Sequence, residues 1–142
     1  MLSWEYPPRI VGGLGRHVYG LSKKLAELGV QVTVVTSGYP DLPELEEEGG
    51  VKIVRTRAWK FVTPDFISWI HVLNFAMCSS ALEELKREGE FDLIHAHDWL
   101  TASAGIALKH SLRKPLVATF HATELGRRGG IWDDFQRRIH EV

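Results

Sequence analysis

The sequence has almost no cysteine, no long hydrophobic run and no excess of charge of either sign. Its 142 residues include one cysteine, and 17 Lys and Arg residues balance 18 Asp and Glu residues. A single cysteine excludes an internal disulfide framework and fits a reducing compartment. The balanced charge argues against nucleic acid or anionic membranes as partners, and no apolar run approaches the roughly 20 residues that span a bilayer. We expect a cytoplasmic globular protein that binds neither nucleic acid nor membranes.

Hydrophobic periodicity predicts helices that alternate with strands. A first helix is predicted from Leu14 to Leu28, and a second begins at Pro64, with Thr63 as its N-cap, and ends at Gly89. Later helices are predicted over residues 99–110 and from about Ile131 onward. Strands are predicted over residues 30–38, 51–57, 91–97 and 114–121, whereas residues 39–50 are predicted as a loop with a solvated acidic patch, Glu46 to Glu48.

This alternation predicts an α/β fold, a Rossmann-like parallel sheet with helices on both faces. Residues 1–142 are predicted to form one domain, and the sequence contains no internal repeat. Only Met1 to Trp4 precede the glycine turn that should follow a first strand, and the last predicted helix stops with the chain. We therefore expect the first strand and the C-terminal end of the domain to be incomplete.

A glycine turn lies beside the start of the first predicted helix, in the segment YPPRIVGGLGRH. Gly12 and Gly13 let the backbone come close to a ligand, and the helix N-terminus offers N–H groups and a positive dipole to an anion. The spacing is not that of the GxGxxG dinucleotide fingerprint, and no acid follows the next strand where a ribose contact belongs. Tight packing of helix against strand explains the same glycines, so both interpretations stay open.

Two later predicted strands end in segments that contain histidine. His95 and His97 alternate along an extended backbone and should point the same way, while His121 and Glu124 follow the next strand. Because ligands of parallel α/β sheets bind at the carboxyl ends of strands, these side chains should face the glycine turn. Together with Asp98 they offer enough donors for a metal, but their spacing matches no standard zinc signature, so we expect no metal site.

These segments together resemble the N-terminal domain of glycogen and starch synthases and of their retaining glycosyltransferase relatives with the GT-B fold. The resemblance rests on residues 1–29 with their GGLG turn, on FDLIHAHDWLTA and on TFHATELGRRGG, which occur in the expected order. It implies an enzyme with two Rossmann-like domains and an active site in the cleft between them. The C-terminal domain, missing from this chain, would hold most of the nucleotide-sugar donor, and this domain would bind the acceptor; no cofactor is implied.

The resemblance also implies roles for individual residues. His97 and His121 match the cleft histidines and are the predicted catalytic residues, with His97 near the transferred glucose. The turn formed by Gly12, Gly13 and Leu14 would lie beside the donor's diphosphate.

Further substrate contacts are predicted around these residues. Asp98 and Glu124 are predicted to support substrate binding, and Asp98 also to cap the helix that follows it. Bacterial glycogen synthases have a lysine two positions before the glycines, where this sequence has Ile10. Its neighbour Arg9 is predicted to replace that lysine imperfectly, because guanidinium and ammonium groups differ in reach and geometry.

The function implied by this resemblance is transfer of glucose from ADP-glucose or UDP-glucose to an α-glucan such as glycogen. The chain would be the acceptor-side half of a hexosyltransferase and would be inactive alone. Two alternatives stay open: a non-catalytic fragment or module that binds glucan or a partner domain, and a nucleotide-sugar epimerase of similar fold.

Overall fold

The computed structural model describes residues 1–141, except for the side chains of Glu124 and Arg128. One sheet contains six strands: β1 (Leu2–Ser3), β2 (Val32–Ser37), β3 (Leu45–Glu48), β4 (Val51–Thr56), β5 (Ile94–His97) and β6 (Leu116–Thr119). The α-helices of the described part are α1 (Gly13–Glu27), α2 (Phe66–Glu88), α3 (Ala102–Leu112), α4 (Glu124–Arg128) and α5 (Asp134–His140). Short 3₁₀ turns cover Ala58–Lys60 and Trp99–Thr101.

The order of strands in the sheet places the site. It runs β3-β4-β2-β1-β5-β6, and every neighbouring pair is parallel except β3 with β4. β2, β4 and β3 therefore lie on one side of β1, and β5 and β6, which follow in the chain, lie on its other side. Parallel sheets bind ligands where the strand order reverses in this way, outside the carboxyl ends of the strands. The expected Rossmann-like sheet is confirmed.

Both faces of the sheet are covered, as the nearly continuous apolar strands predicted. Alternate residues of a strand point to opposite faces, and Val34 and Ile53 pack with Leu14 and Val18 of α1. Their neighbours Val35 and Val54 pack on the other face with apolar residues of α2 and α3.

The first two helices differ from their predictions only at their ends. α1 matches the predicted helix to within a residue at each end: it begins one residue earlier, and Leu28, the predicted last residue, lies just outside it and is 80% exposed. α2 begins after Asp65, whose Oδ1 accepts a hydrogen bond of 2.7 Å from the N–H of Ser68. The predicted cap Thr63 is wrong because a better-placed acceptor follows it. Gly89 ends α2 as predicted, with a φ of 93°.

The predicted loop over residues 39–50 contains an edge strand, and this part of the prediction is wrong. β3 pairs antiparallel with β4 along its whole length. Two of its glutamates bind cations from other elements: Glu46 lies 2.6 Å from Arg55, and Glu48 lies 3.1 Å from Lys23. These ion pairs allow a highly charged segment to extend the sheet.

The C-terminal third also departs from the prediction. β6 is shorter than predicted and forms an edge of the sheet rather than a buried strand, with Val117 43% exposed. α4 was not predicted; the Thr123 hydroxyl caps it by accepting from the N–H of Gly126. α5 begins after Asp133, three residues later than predicted.

At the N-terminal end, β1 contains two residues and pairs with both β2 and β5. The expected incompleteness of this strand stays a prediction. None of the described helices is long and apolar enough to cross a membrane.

Candidate active site

Three segments meet at the carboxyl edge of the sheet, beside β1, β5 and β6. Together with residues of α2 and α5 they surround a cavity of about 670 Å³. Its wall includes the predicted site residues Gly12, Gly13, Leu14, Asp98 and His121. Four aromatic residues line another part of the wall: Trp4, Phe66, Trp99 and Phe135. The fold thus brings five of the predicted site residues to one cavity.

A buried carboxylate occupies much of the N-terminus of α1. Glu5 is 3% exposed, and its oxygens accept hydrogen bonds from the N–H groups of Gly12 at 3.1 Å and Gly15 at 2.9 Å. The N–H of Val11 also donates to Glu5. α1 has no side-chain cap of its own, since its N-cap is Gly12. The chain therefore supplies its own anion to part of this helix N-terminus, and the N–H groups of Gly12 and Gly15 are already bonded.

The three glycines of the loop serve different purposes. A Cβ on Gly13 would meet nothing within 4 Å, whereas a Cβ on Gly15 would lie 3.1 Å from Cγ of Glu5. Neither Gly12 nor Gly13 has a positive φ. Gly13 is thus open toward the cavity, and Gly15 is required by close packing. Close packing thus explains Gly15 rather than Gly12 or Gly13, where a Cβ would come no nearer than 3.9 Å to a neighbour, and close approach of a ligand there stays a prediction.

His97 ends β5 and is completely buried. As predicted, His95 points the same way: the two rings lie 4.0 Å apart between centroids. Nδ1 of His97 lies 3.4 Å from Nε2 of His121, and the Thr101 hydroxyl accepts from the N–H of His97 at 3.0 Å. Nε2 of His97 is buried and has no hydrogen-bond partner among the described residues. His121 lines the cavity directly, and His97 lies behind it.

The pKa values of His97 and His121 are both lowered, which favours the neutral imidazole. Burial, reinforced by His95, His121 and His17, lowers the pKa of His97 from 6.5 to about 3. Burial also lowers the pKa of His121, helped by His17, although the carboxylates of Asp98 and Glu5 act in the opposite direction. Neutral imidazoles offer one donor and one acceptor each, which suits hydrogen bonds to sugar hydroxyl groups.

Sequence reasoning missed His17, which joins this cluster from the exposed side of α1. Its ring centroid lies 5.0 Å from that of His121 and 5.7 Å from that of His97. The signal was present in the sequence, since His17 follows the glycine turn by one helical turn.

His17, His97 and His121 form one group that could bind a metal ion. Their ligand nitrogens lie within 4.8 Å of one another, whereas nitrogens bound to tetrahedral zinc at 2.0–2.1 Å are separated by about 3.3 Å. The 3.4 Å between His97 and His121 fits that spacing. However, a zinc-bound histidine normally donates its second N–H to an acceptor, and Nε2 of His97 has none among the described residues. The geometry therefore matches a zinc site only in part.

Asp98 has an uncommon backbone conformation for a residue other than glycine, with a φ of 65°. It is 4% exposed, and its Oδ1 accepts from the N–H of Trp99 at 3.0 Å, so it caps the 3₁₀ turn that leads into α3. Its Oδ2 is buried without a hydrogen-bond partner among the described residues, while a guanidinium nitrogen of Arg127 lies 3.7 Å away. Strained, buried and polar, Asp98 has the character of a functional residue.

Two predicted substrate contacts are not placed at the cavity by the described side chains. Arg9 lies 2.7 Å from Asp41 and stacks over the ring of Tyr39 at 5.2 Å from its centroid. The side chain of Glu124 lies outside the described part of the structure. The roles predicted for both residues stay predictions.

Comparison with known proteins gives the site a context. The family described as Glycosyltransferase Family 4 matches residues 11–142. An uncharacterized glycosyltransferase of Methanocaldococcus jannaschii is 43% identical over all of this chain and 35% of its own length. A glycogen synthase of Mycobacterium tuberculosis is 37% identical over all of this chain and 38% of its own. A D-inositol 3-phosphate glycosyltransferase of Kribbella flavida is 28% identical over 87% of this chain and 30% of its own.

A solved structure shares the fold. Sucrose-phosphate synthase from Thermosynechococcus elongatus superposes with a TM-score of 0.73 at 18% identity, over 92% of this chain and 34% of that one. This likeness agrees with the GT-B type of fold expected from the sequence. The chain spans about a third of the length of the curated relatives named above.

Proposed function

This chain belongs to Glycosyltransferase Family 4, and from that membership we propose that it forms the acceptor-side part of a retaining hexosyltransferase. The donor is ADP-glucose or UDP-glucose, and the acceptor is an α-glucan such as glycogen. The 37% identity to a glycogen synthase over the whole chain supports this choice over the more distant inositol phosphate acceptor. A donor-side domain outside this chain completes the enzyme, so the chain alone is inactive; its single cysteine supports a cytoplasmic location.

One observation carries the proposal: a cavity at the strand-order reversal joins a helix N-terminus to buried polar atoms that lack partners. Oδ2 of Asp98, on the cavity wall, is such an atom, and Nε2 of His97 is a second one that lies behind His121. Leaving a buried polar group unsatisfied costs about 1–3 kcal/mol. A sugar hydroxyl that donates to Oδ2 from the cavity, or that reaches Nε2 when His121 moves aside, recovers this cost.

The glycine loop serves the other end of the donor. The N–H groups of Gly13 and Leu14 and the positive end of the α1 dipole face the diphosphate, on which negative charge grows as the sugar leaves. Preorganised donors aimed at developing charge supply a large part of many rate enhancements.

The remaining residues have supporting roles in this proposal. His121 forms the cavity wall and contacts the sugar or the acceptor, while its Nε2 and Nδ1 of His97 fix each other's tautomers. Asp98 holds the strand end in place, and Arg9 and Glu124 add contacts at the rim when substrate binds.

The proposal is tested by assaying release of nucleoside diphosphate. The chain alone and the longer polypeptide that includes a donor-side domain are each incubated with ADP-glucose or UDP-glucose, using glycogen or D-inositol 3-phosphate as acceptor. We expect turnover only with the longer polypeptide and only with glycogen. Activity with the inositol phosphate instead would contradict the proposed acceptor. A longer polypeptide that binds glycogen without turnover would favour the binding-module alternative, and sugar interconversion without an acceptor would favour an epimerase.

A further inference from the structure

We propose that Glu5 is a positioning residue that acts as a built-in anion of the glycine loop. Its carboxylate accepts hydrogen bonds from the N–H groups of Val11, Gly12 and Gly15. The N–H groups of Gly13 and Leu14 then bind the donor's diphosphate. This inference rests on the proposed function, which places a diphosphate at the loop.

The hydrogen bonds at the start of α1 carry the first step. The first four N–H groups of a helix have no partner within the helix, and here they belong to Gly12, Gly13, Leu14 and Gly15. Glu5 accepts from the first and the last of these. Gly13, the more exposed of the two between them, faces the cavity. The carboxylate thus divides the helix N-terminus into an internal half and a half that faces the ligand.

Close packing fixes this division. Glu5 is 3% exposed, and the missing side chain of Gly15 is what makes room for it. A Cβ there would lie 3.1 Å from Cγ and 3.2 Å from Cδ of Glu5, and 3.3 Å from Ile10. The loop is therefore held in shape before any ligand arrives, which is the condition under which backbone donors contribute most to catalysis.

Because Glu5 is charged, the direction in which Glu5→Gln changes anion binding tests the proposal. A carboxylate beside a bound diphosphate repels it. If Glu5 were only a nearby charge, Glu5→Gln would strengthen anion binding. If Glu5 positions the loop, the same change weakens binding, because the amide NH₂ of glutamine turns a donor toward backbone N–H groups that need an acceptor.

The first experiment needs no ligand. Amide hydrogen exchange is followed in the ¹⁵N-glycine-labelled chain, where Gly12 and Gly15 report on the bonds to Glu5 and Gly13 serves as the internal reference. We expect exchange at Gly12 and Gly15 to be at least tenfold faster in Glu5→Gln. The control, Glu27→Gln, makes the same charge change at the other end of α1, where Glu27 pairs with Lys24 on the surface, and leaves these amides unchanged.

Glu5→Asp keeps the charge and shortens the side chain, so it guards against a Glu5→Gln variant that does not fold. We expect it to speed exchange at Gly15 as well. If Glu5→Asp leaves exchange at Gly12 and Gly15 unchanged, or if a folded Glu5→Gln does so, the positioning role is overturned.

The second experiment titrates inorganic pyrophosphate into the same proteins. We expect the Gly13 resonance to shift more than those of Gly12 and Gly15 in the unmodified chain, and pyrophosphate to bind at least fivefold more weakly to Glu5→Gln. Tighter binding to Glu5→Gln would overturn the inference and leave the proposed function intact. Absence of any shift at Gly13 in the unmodified chain would contradict the diphosphate site itself, whatever the exchange data show about Glu5.

Discussion

Two polar regions meet at the cavity, and they differ in how their buried groups are satisfied. In the glycine loop, the carboxylate of Glu5 accepts hydrogen bonds from three backbone N–H groups. In the cluster at the end of β5, Nε2 of His97 and Oδ2 of Asp98 are buried without a hydrogen-bond partner among the described residues. Most buried polar groups in proteins have partners, and the exceptions call for an explanation. Under the proposed function, Glu5 holds the loop in shape before a ligand arrives, whereas the cluster would gain its missing hydrogen bonds from the ligand.

The largest effect on activity is expected when His97, whose Nε2 lacks a partner, is removed. In the enzyme that contains this chain and its donor-side domain, His97→Ala should lower kcat by a factor on the order of 10²–10³, as does loss of a preorganised donor. His121→Ala should act more on the KM for acceptor, because His121 lies on the cavity wall, where the acceptor is proposed to bind. Steady-state kinetics of the two variants provide the measurement. A normal kcat in His97→Ala would remove His97 from the reaction.

In the glycine loop, where Glu5 has its hydrogen bonds, adding one methyl group at position 15 should lower the free energy of unfolding. Gly15→Ala places a Cβ against Glu5, and overpacking of this kind costs about 1–3 kcal/mol in the free energy of unfolding. Gly20→Ala is the matched control on the same helix: its Cβ meets nothing within 4 Å, so the higher helix propensity of alanine should stabilise the chain by about 1 kcal/mol.

A double-mutant cycle in urea then isolates the contact. Gly15→Ala should cost less when Glu5 is already alanine, because the clashing Cγ and Cδ are gone. Equal costs in both backgrounds would show that Glu5 is not what requires a glycine at position 15.

A smaller effect is expected on the pH dependence of stability. In the folded chain the pKa of His97 is lowered from 6.5 to about 3. Between these pH values the unfolded chain therefore binds a proton at His97 that the folded chain does not bind. The contribution is fully present above pH 6.5 and is lost as pH falls below it. Between pH 7 and pH 5.5, above the range of most carboxyl groups, His97 alone should account for about 1 kcal/mol of lost stability.

The slope of unfolding free energy against pH checks this, compared with that of His97→Gln. The slope should decrease in the variant but not vanish, because the pKa values of His95 and His121 are also lowered. His110→Gln, at the exposed end of α3, should keep the full slope. An unchanged slope in His97→Gln would contradict a neutral, buried His97.

The smallest effect is expected at the rim. Arg9 and Asp41 are both more than half exposed, so Arg9→Ala should leave the melting temperature unchanged within error. If Arg9 moves to the diphosphate when substrate binds, as the sequence predicted, the KM for the donor rises in this variant. An unchanged donor KM would show that Arg9 stays with Asp41 and Tyr39.

The sequence allowed the elements with strong periodicity to be predicted, and the site segments with them. β2 and β4 are rich in β-branched residues and α1 has a clear apolar stripe, so local pattern was sufficient. β3 escaped prediction because three of its four residues are glutamates, although Gly49 and Gly50, both with positive φ, form a two-residue hairpin connection to β4. Gly12 and Gly13 were predicted, from their position before a helix, to be a candidate ligand-binding turn, and they line the cavity.

What local pattern could not supply was the partner of that turn. Glu5 reaches Gly15 across ten positions, and no periodicity marks it among the acidic residues. His17 joins two histidines from separate strand ends only when α1 is placed against the sheet edge. Such convergence depends on tertiary structure, and therefore both residues emerged only with the fold.

A crystal structure of the protein with bound ADP-glucose or UDP-glucose tests the central claim most directly. The account predicts the diphosphate on the N–H groups of Gly13 and Leu14, with Glu5 still bound to Gly12 and Gly15. It also predicts a sugar hydroxyl within about 3.2 Å of Nε2 of His97. A nucleotide sugar bound elsewhere, or one that leaves Nε2 of His97 buried and unpartnered, would contradict it.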